Sequence, residues 1–187
     1  NVIDARWVLK WKIVNGNRII KARLVVRGFK DLQSAQLSTF AGTTTRWGQR
    51  LVNSVASQHR WPLFIADVSQ AFLEGLTCEQ AAQLKDEVQR DVQFTVPPGS
   101  VNILRRLPGY SDFNPLTEVL RMLRCGFGLK DAPKLFTDKV DVVFRKQNLR
   151  EAHACEKLYL KFENGKLVVM CSGHMDDFKV TGPDPWI

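Results

Sequence analysis

The sequence has no apolar run near the roughly 20 residues that a membrane-spanning helix needs. It also lacks the charged, apolar and small-residue order of a signal peptide. A helical membrane protein is therefore not expected. No internal repeat, low-complexity block or linker divides the chain, which argues against a repeat array and against a disordered tail. Cysteine is scarce, with residues at 78, 125, 155 and 171 and no Cys-x-x-Cys pair. His153 and Cys155 form a single His-x-Cys, too little for a zinc site. Four free thiols in a reducing, intracellular compartment are the expectation. The chain starts on Asn1, not Met, and reads as a fragment, a processed product or the ordered part of something longer.

What is present is enough for one folded domain. The chain has 187 residues, of which 44% are hydrophobic, so a sizeable core is expected. Lys and Arg number 27 against 19 Asp and Glu, a net charge of +8. A polyanion, most simply nucleic acid, is a natural partner for such a chain; a solvated basic face is the plainer explanation.

Residues 7–27 predict a hairpin, with β-rich arms around Asn15-Gly16-Asn17. Its second arm carries Arg18, Lys21, Arg23 and Arg27. Those cations either clamp phosphates or keep an edge hairpin from pairing with other chains. Residues 30–44 read as loop. A helix follows over 45–60, capped by Thr45, with Trp47, Leu51 and Val55 as its core face. Leu63 to Asp67 reads as a short strand, after which the chain turns away through Phe72. Thr77 and Gln80 form a capping-box pattern that opens a polar helix to about Arg90. Residues 94–100 read as a strand ended by Pro97-Pro98-Gly99, and 101–114 as irregular. A helix is predicted over 115–124, broken by the glycines of 125–129. Those glycines either stop the helix or let the backbone approach a ligand. Asp131 and Pro133 open another helix, with Leu135, Phe136, Val140, Val143 and Phe144 on its buried side. A second hairpin, 157–163 and 166–175 around Asn164-Gly165, leads into Asp176-Asp177. The last residues, 183–187, are expected to fray.

The acidic pair is the feature with chemical content. Asp176 and Asp177 lie between two β-type runs, as a hairpin turn would place them. Asp67 ends another short apolar run, and if the two runs are sheet neighbours it comes beside Asp176. Clustered carboxylates repel one another and favour a divalent cation, and two hard cations on shared carboxylates serve nucleotidyl transfer.

Five blocks in order carry a family resemblance: KARLVVRGF at 21–29, ADVSQAFLEG at 66–75, VPPG at 96–99, GLKDAP at 128–133 and HMDDFKVTG at 174–182. Together they make the chain resemble the reverse transcriptase domain of copia-type LTR retrotransposons from about Trp11 to Gly182. The resemblance implies an α+β fold, a right-hand polymerase with fingers and palm, an antiparallel palm sheet backed by helices, and no thumb in this chain. It implies one domain, with residues 1–62 mainly fingers and 63–187 mainly palm, and further finger elements around 94–135. Asp67, Asp176 and Asp177 match the catalytic, metal-holding carboxylates, for two Mg2+ ions or for Mn2+. Phe72 matches the aromatic beneath the incoming sugar. Lys21, Arg23 and Arg27 fall in a block with triphosphate-binding residues, and Gly128 and Lys130 in the segment beside template and nucleotide.

The implied activity is RNA-directed DNA polymerisation, with template–primer and deoxynucleoside triphosphates as partners, and the remaining polyprotein domains or a larger assembly besides. The implied compartment is cytoplasm or nucleus. Three departures stand out: His174 replaces the Tyr of Tyr-x-Asp-Asp, Asp131 replaces a Gln, and 77–90 looks inserted. His174, together with a chain that stops soon after the acidic pair and so lacks the thumb, motivates an alternative: a truncated, inactive or domesticated copy acting as a structural or binding subunit of a larger complex. A third reading, a basic nucleic-acid-binding module with an acidic turn, accounts for the charge but not for Asp67 with Phe72.

Overall fold

The computed structural model describes residues 1–85 and 89–186. In chain order its elements are β1 (Val2–Val14), β2 (Asn17–Val26), α1 (Arg46–His59), β3 (Leu63–Asp67), α2 (Cys78–Lys85), β4 (Gln93–Thr95), α3 (Val101–Leu104), β5 (Leu120–Arg121), α4 (Ala132–Lys146), β6 (Arg150–Ala152), β7 (Cys155–Glu163), β8 (Lys166–His174) and β9 (Asp177–Thr181). The fold is α+β. It divides into two compact units, Asn1–Thr39 with Gly75–Leu135, and Phe40–Glu74 with the chain from Phe136 onward.

The first unit is built on a four-stranded sheet in the order β2-β1-β4-β5. The β1–β2 hairpin turns on Asn15 and Gly16, both with positive φ, as a two-residue turn between right-twisted strands requires. Register places Arg6, Val8, Lys10, Lys12, Ile19, Lys21 and Arg23 on one face. The other face carries Trp7, Leu9, Trp11, Ile13, Ile20, Ala22 and Leu24. Arg18 lies opposite Ile13 on that apolar face, apart from the cations with which the sequence grouped it. Both faces are largely exposed, and Trp7 is tied by its indole N–H to Ser100 Oγ at 2.6 Å.

No helix forms over 115–124. Asn114 Oδ1 accepts from the Leu116 N–H at 3.0 Å, and Glu118 Oε2 accepts from the Asn114 N–H at 2.6 Å, which fixes a turn. The chain then enters the sheet as β5, and the Met122 N–H reaches Val92 O at 2.9 Å. Sheet pairing outweighs the helical period, and Leu116 and Leu123 are left exposed. The capping box of α2 forms in both directions, Gln80 N–H to Thr77 Oγ1 at 3.0 Å and Thr77 N–H to Gln80 Oε1 at 3.1 Å. The predicted extension of α2 passes through residues 86–88, outside the described residues, and Gln89 and Arg90 are not helical. Within 101–114, α3 is a short helix where irregular chain was expected.

Arg90 is buried between two carboxylates, Asp31 and Asp131, and donates a hydrogen bond to each. Burial pulls the pKa of its guanidinium down, but Asp131 and its other acidic neighbours pull it further up, so the group stays charged. Asp31 also accepts from Asn1 Nδ2 at 2.5 Å and from the Gln33 N–H at 3.1 Å. Three segments distant in sequence thus meet at one ionic node. The 126–130 segment packs alongside β2, with the Val26 N–H donating to Phe127 O at 2.9 Å. Gly128, at φ +100°, leaves no space for a Cβ against Val26 O. This contact, not a helix stop, accounts for that glycine.

The second unit is a five-stranded antiparallel sheet in the order β3-β9-β8-β7-β6. β6 was not foreseen. Helices lie on both faces, not only behind the sheet. From α4, Phe136, Val140 and Phe144 pack with Tyr159, Cys171 and Phe178. From α1, Val52 and Val55 pack with Leu158 and Met170, which point to the opposite face because strand neighbours alternate. Thr45 caps α1 as predicted, accepting from the Gly48 N–H at 3.1 Å. The buried line of α1 is Gly48, Val52 and Ala56, one position on from the expected stripe. Trp47 is 76% exposed as a result. Gly48 sets this rotation, because a Cβ there would collide with Thr44 Oγ1 and Cys155 Sγ. Val143 of α4 is exposed for a similar reason, lying off the line of Phe136, Val140 and Phe144. Near the chain end, Lys161 Nζ lies 4.7 Å from the Trp186 ring centroid, and the last residue of the stretch expected to fray, 187, lies outside the described residues.

Replacing Arg90 with Met strands two buried carboxylates, which costs about 3–5 kcal/mol. Urea unfolding followed by fluorescence is expected to show that loss, and an unchanged midpoint would remove the node from any structural role.

Candidate active site

The acidic residues come together through strand register. β3 pairs with β9 so that Asp67 stands directly across from Asp177. The turn between β8 and β9 is Met175-Asp176, with Met175 at φ 58°, so Asp177 is the first residue of β9 and not part of the turn. Asp176 joins the group through its backbone, accepting from the Val68 N–H at 2.9 Å. All three aspartates are exposed at one end of the sheet. Among the described residues their side chains make no hydrogen bond or ion pair. Like charges set opposite one another in a sheet repel. No three Asp, Glu, His or Cys side chains among the described residues stand close enough to hold a metal ion as they are. In donor chemistry the three fit a hard divalent cation, since each offers carboxylate oxygens engaged by no other group.

Two neighbours share this end of the sheet. His174, the last residue of β8, faces Asp177 across the hairpin. Lys179 lies two residues beyond Asp177 on the same face of β9, opposite Ile65. The alternation that placed the aspartates also marks Lys179, a cation the sequence reading passed over. Phe72 sits in a 3₁₀ turn, Ala71–Glu74, just after β3. It is half-buried and packs against the cluster of Ala71, Phe136, Tyr159, Cys171 and Phe178. Below that cluster, Tyr159 OH donates to Asp141 Oδ1 at 2.6 Å, and Lys157 Nζ reaches the same carboxylate at 2.9 Å. Burial first, and then Asp141, push the Tyr159 phenol above its ordinary range, so it remains a donor.

The basic candidates belong to the first unit. Arg27 is held by Asp4 at 3.0 Å, and Lys30 binds the same carboxylate at 2.8 Å. The Lys30 hydrogen bond, followed by the Arg27 charge, holds the Asp4 carboxyl below its usual range. Arg23 lies over the Phe127 ring, 5.4 Å from its centroid, beside the 126–130 segment that contains Gly128 and Lys130. Lys21 stands opposite Lys10, and both are exposed. Of the three predicted phosphate ligands, then, Lys21 has no partner among the described residues, Arg23 is stacked and Arg27 is paired. Their cationic face is completed by Arg6, Lys10 and Lys12, which the sequence reading assigned to no site.

Among the described residues, no helix is long and apolar enough to cross a membrane. No solved structure matches the chain. The family model described as reverse transcriptase (RNA-dependent DNA polymerase) matches residues 1–187. The chain is 25% identical over 187 residues to the retrovirus-related Pol polyprotein from transposon RE1 of Arabidopsis thaliana, covering 98% of this chain and 11% of that protein. It is 26% identical over 186 residues to the corresponding polyprotein from transposon RE2 of the same plant, with the same coverage. The chain thus spans about a tenth of the length of the curated relatives it matches. With the family model matched from end to end and both relatives being transposon Pol polyproteins, the chain belongs to the reverse transcriptase (RNA-dependent DNA polymerase) family, as a copia-type domain.

Proposed function

We propose that this chain carries the nucleotidyl-transfer centre of an RNA-directed DNA polymerase. The observation that carries the proposal is the β3–β9 register, which sets Asp67 across from Asp177 and beside Asp176 with all three carboxylates otherwise unengaged. Asp67 and Asp176 would hold two divalent cations, Mg2+ or Mn2+, with Asp177 as the outer ligand. Such ions, when bound, neutralise phosphate charge and stabilise the attacking and leaving oxygens. The protein positions these donors on a strand end and a two-residue turn. Phe72, fixed by packing on one side, offers its remaining surface to a sugar and excludes a 2′-hydroxyl.

The cationic face of the β1–β2 hairpin supports contacts with the phosphates of template–primer or of a nucleoside triphosphate. Lys21 is the best placed of the predicted ligands, since Arg27 is already paired with Asp4. The other domains of a Pol-type polyprotein are the natural partners. A second reading, a binding or structural subunit with the same fold, is favoured by one observation: the aspartate side chains do not form a ready three-ligand group.

Primer extension with Mg2+ separates the two readings. Loss of several kcal/mol of transition-state stabilisation, at about 1.4 kcal/mol per tenfold, predicts that Asp176→Asn lowers extension about a hundredfold or more with the fold intact. Equal activity of the variant and the parent chain would reject the site, and an inactive parent that still binds template–primer would favour the subunit reading. For Phe72→Ala, discrimination against ribonucleotides is expected to fall about tenfold or more; an unchanged ratio would show that Phe72 only packs. Lys21→Gln should weaken template–primer binding irrespective of sequence and lower the salt slope by about one, whereas an unaltered slope would take Lys21 off the phosphate path.

A further inference from the structure

β1 pairs with β4 only over Val2–Asp4, so from Ala5 onward the β1–β2 hairpin runs on as a ribbon of two strands. Such a ribbon is marginal in water unless something else packs on it. Between Ala5 and Val26 it carries six cations and no carboxylate. Register places five of the six on one face and Arg18 alone on the other. That other face is a ladder of four rows: Trp7 with Leu24, Leu9 with Ala22, Trp11 with Ile20, and Ile13 with Arg18. Leu9 is 63% exposed, Trp11 66%, Ile13 68% and Ile20 55%. Large apolar side chains joined in one strip mark an interaction surface, which singly scattered ones do not.

The segregation of charge says what fits the strip. A nucleic acid needs cations along its phosphates, and all but one of the ribbon's cations point the other way. An acidic peptide meets the same shortage. The matching surface is apolar over its middle rows and accepts a single cation at one end. The same face of a second copy has these properties. Turned end for end by a two-fold axis across the strands, the row of Leu9 and Ala22 meets the row of Trp11 and Ile20 of the second copy, and the reverse. Ala22 leaves room for that bulky indole. The row of Ile13 and Arg18 meets the row of Trp7 and Leu24, which brings the one cation of the face to an indole ring. Trp7 is already anchored through its N–H to Ser100 Oγ.

We propose that the chain self-associates through this face, as a two-fold dimer whose ribbons stack with their apolar rows inward. The interface is isologous, each copy covering the strip of the other. Stacked sheets stand about 10 Å apart. The two cationic faces lie on the far sides of that stack, farther apart than the screening length of about 8 Å at physiological ionic strength, so they repel little. Both remain open to a polyanion. The dimer uses no residue of the acidic site and stands whether or not the chain polymerises nucleotides.

The test is sedimentation velocity of the nuclease-treated full chain from low to high micromolar concentration. A monomer–dimer equilibrium is expected, and sulfate salts should strengthen it because apolar burial drives it. Leu9→Ser removes an apolar contact from the seam twice over and should raise the dissociation constant about tenfold or more. Ala22→Trp keeps the ribbon apolar and strand-favouring but fills the space for Trp11 of the second copy, so it should also shift the equilibrium to monomer. Trp47→Ala, which removes an exposed tryptophan outside the hairpin, should leave association unchanged. A chain that stays monomeric overturns the proposal, and loss of single-stranded oligonucleotide or anionic-vesicle binding in Leu9→Ser would then name the covering partner instead. Open-ended aggregation in place of a closed dimer, or a dimer insensitive to both hairpin variants, would also overturn it.

Discussion

The pairing of β3 with β9 is the constraint on which the second unit depends. It joins residues more than a hundred positions apart and makes a sheet edge out of a five-residue strand. A slip of one residue would send every side chain of β3 to the other face. Asp67 would then leave the face it shares with Asp177. The register is held at both ends by bonds outside the strand ladder. Thr181 Oγ1 donates to Pro62 O at 2.8 Å at one end, and the Val68 N–H donates to Asp176 O at the other. Around it, α1 and α4 cover opposite faces of the sheet, so the acidic end is presented by a framework buried on two sides.

In the first unit a buried ion cluster sits among buried apolar residues that include Ile3, Val26, Val92, Phe94 and Leu129. The Arg90 node gathers residues 31, 90 and 131, and the buried ions are tolerable only because each has a partner. The 126–130 segment, which leads into the node, is also the one that packs on β2 and stacks Phe127 under Arg23. Asp131, which looked like a helix cap or a misplaced charge, is thereby explained as the counter-ion of Arg90. The long β1–β2 hairpin stands at the other extreme, with one cationic and one apolar face and little burial on either. Its shape is legible from the Asn15-Gly16 turn and the β-rich arms on either side of it.

Local signals in the sequence were accurate where the structure satisfies them locally. Both Asn-Gly hairpins form, the Thr45 cap and the Thr77 box form, and β3 has the predicted limits. Errors cluster where a distant partner intervenes. The helix over 115–124 lost to pairing with β4, and the stripe of α1 turned by one position because Gly48 seats against Thr44 and Cys155. The acidic pair was displaced by a single residue because Met175, not Asp177, takes the positive φ of the turn.

By itself, the sequence determined the family, both Asn-Gly hairpins, the strand Leu63–Asp67 and the caps at Thr45 and Thr77, since these rest on residue type, spacing and short-range hydrogen bonding. Only the tertiary structure decided that Asp177 is the residue opposite Asp67, that Arg27 is already paired, that Arg18 faces away from the other cations and that Arg90 is buried between two acids. Each of those facts is a contact between segments far apart in the chain. No local pattern encodes it, because the free energy that selects it arises only when the partners meet in the folded protein.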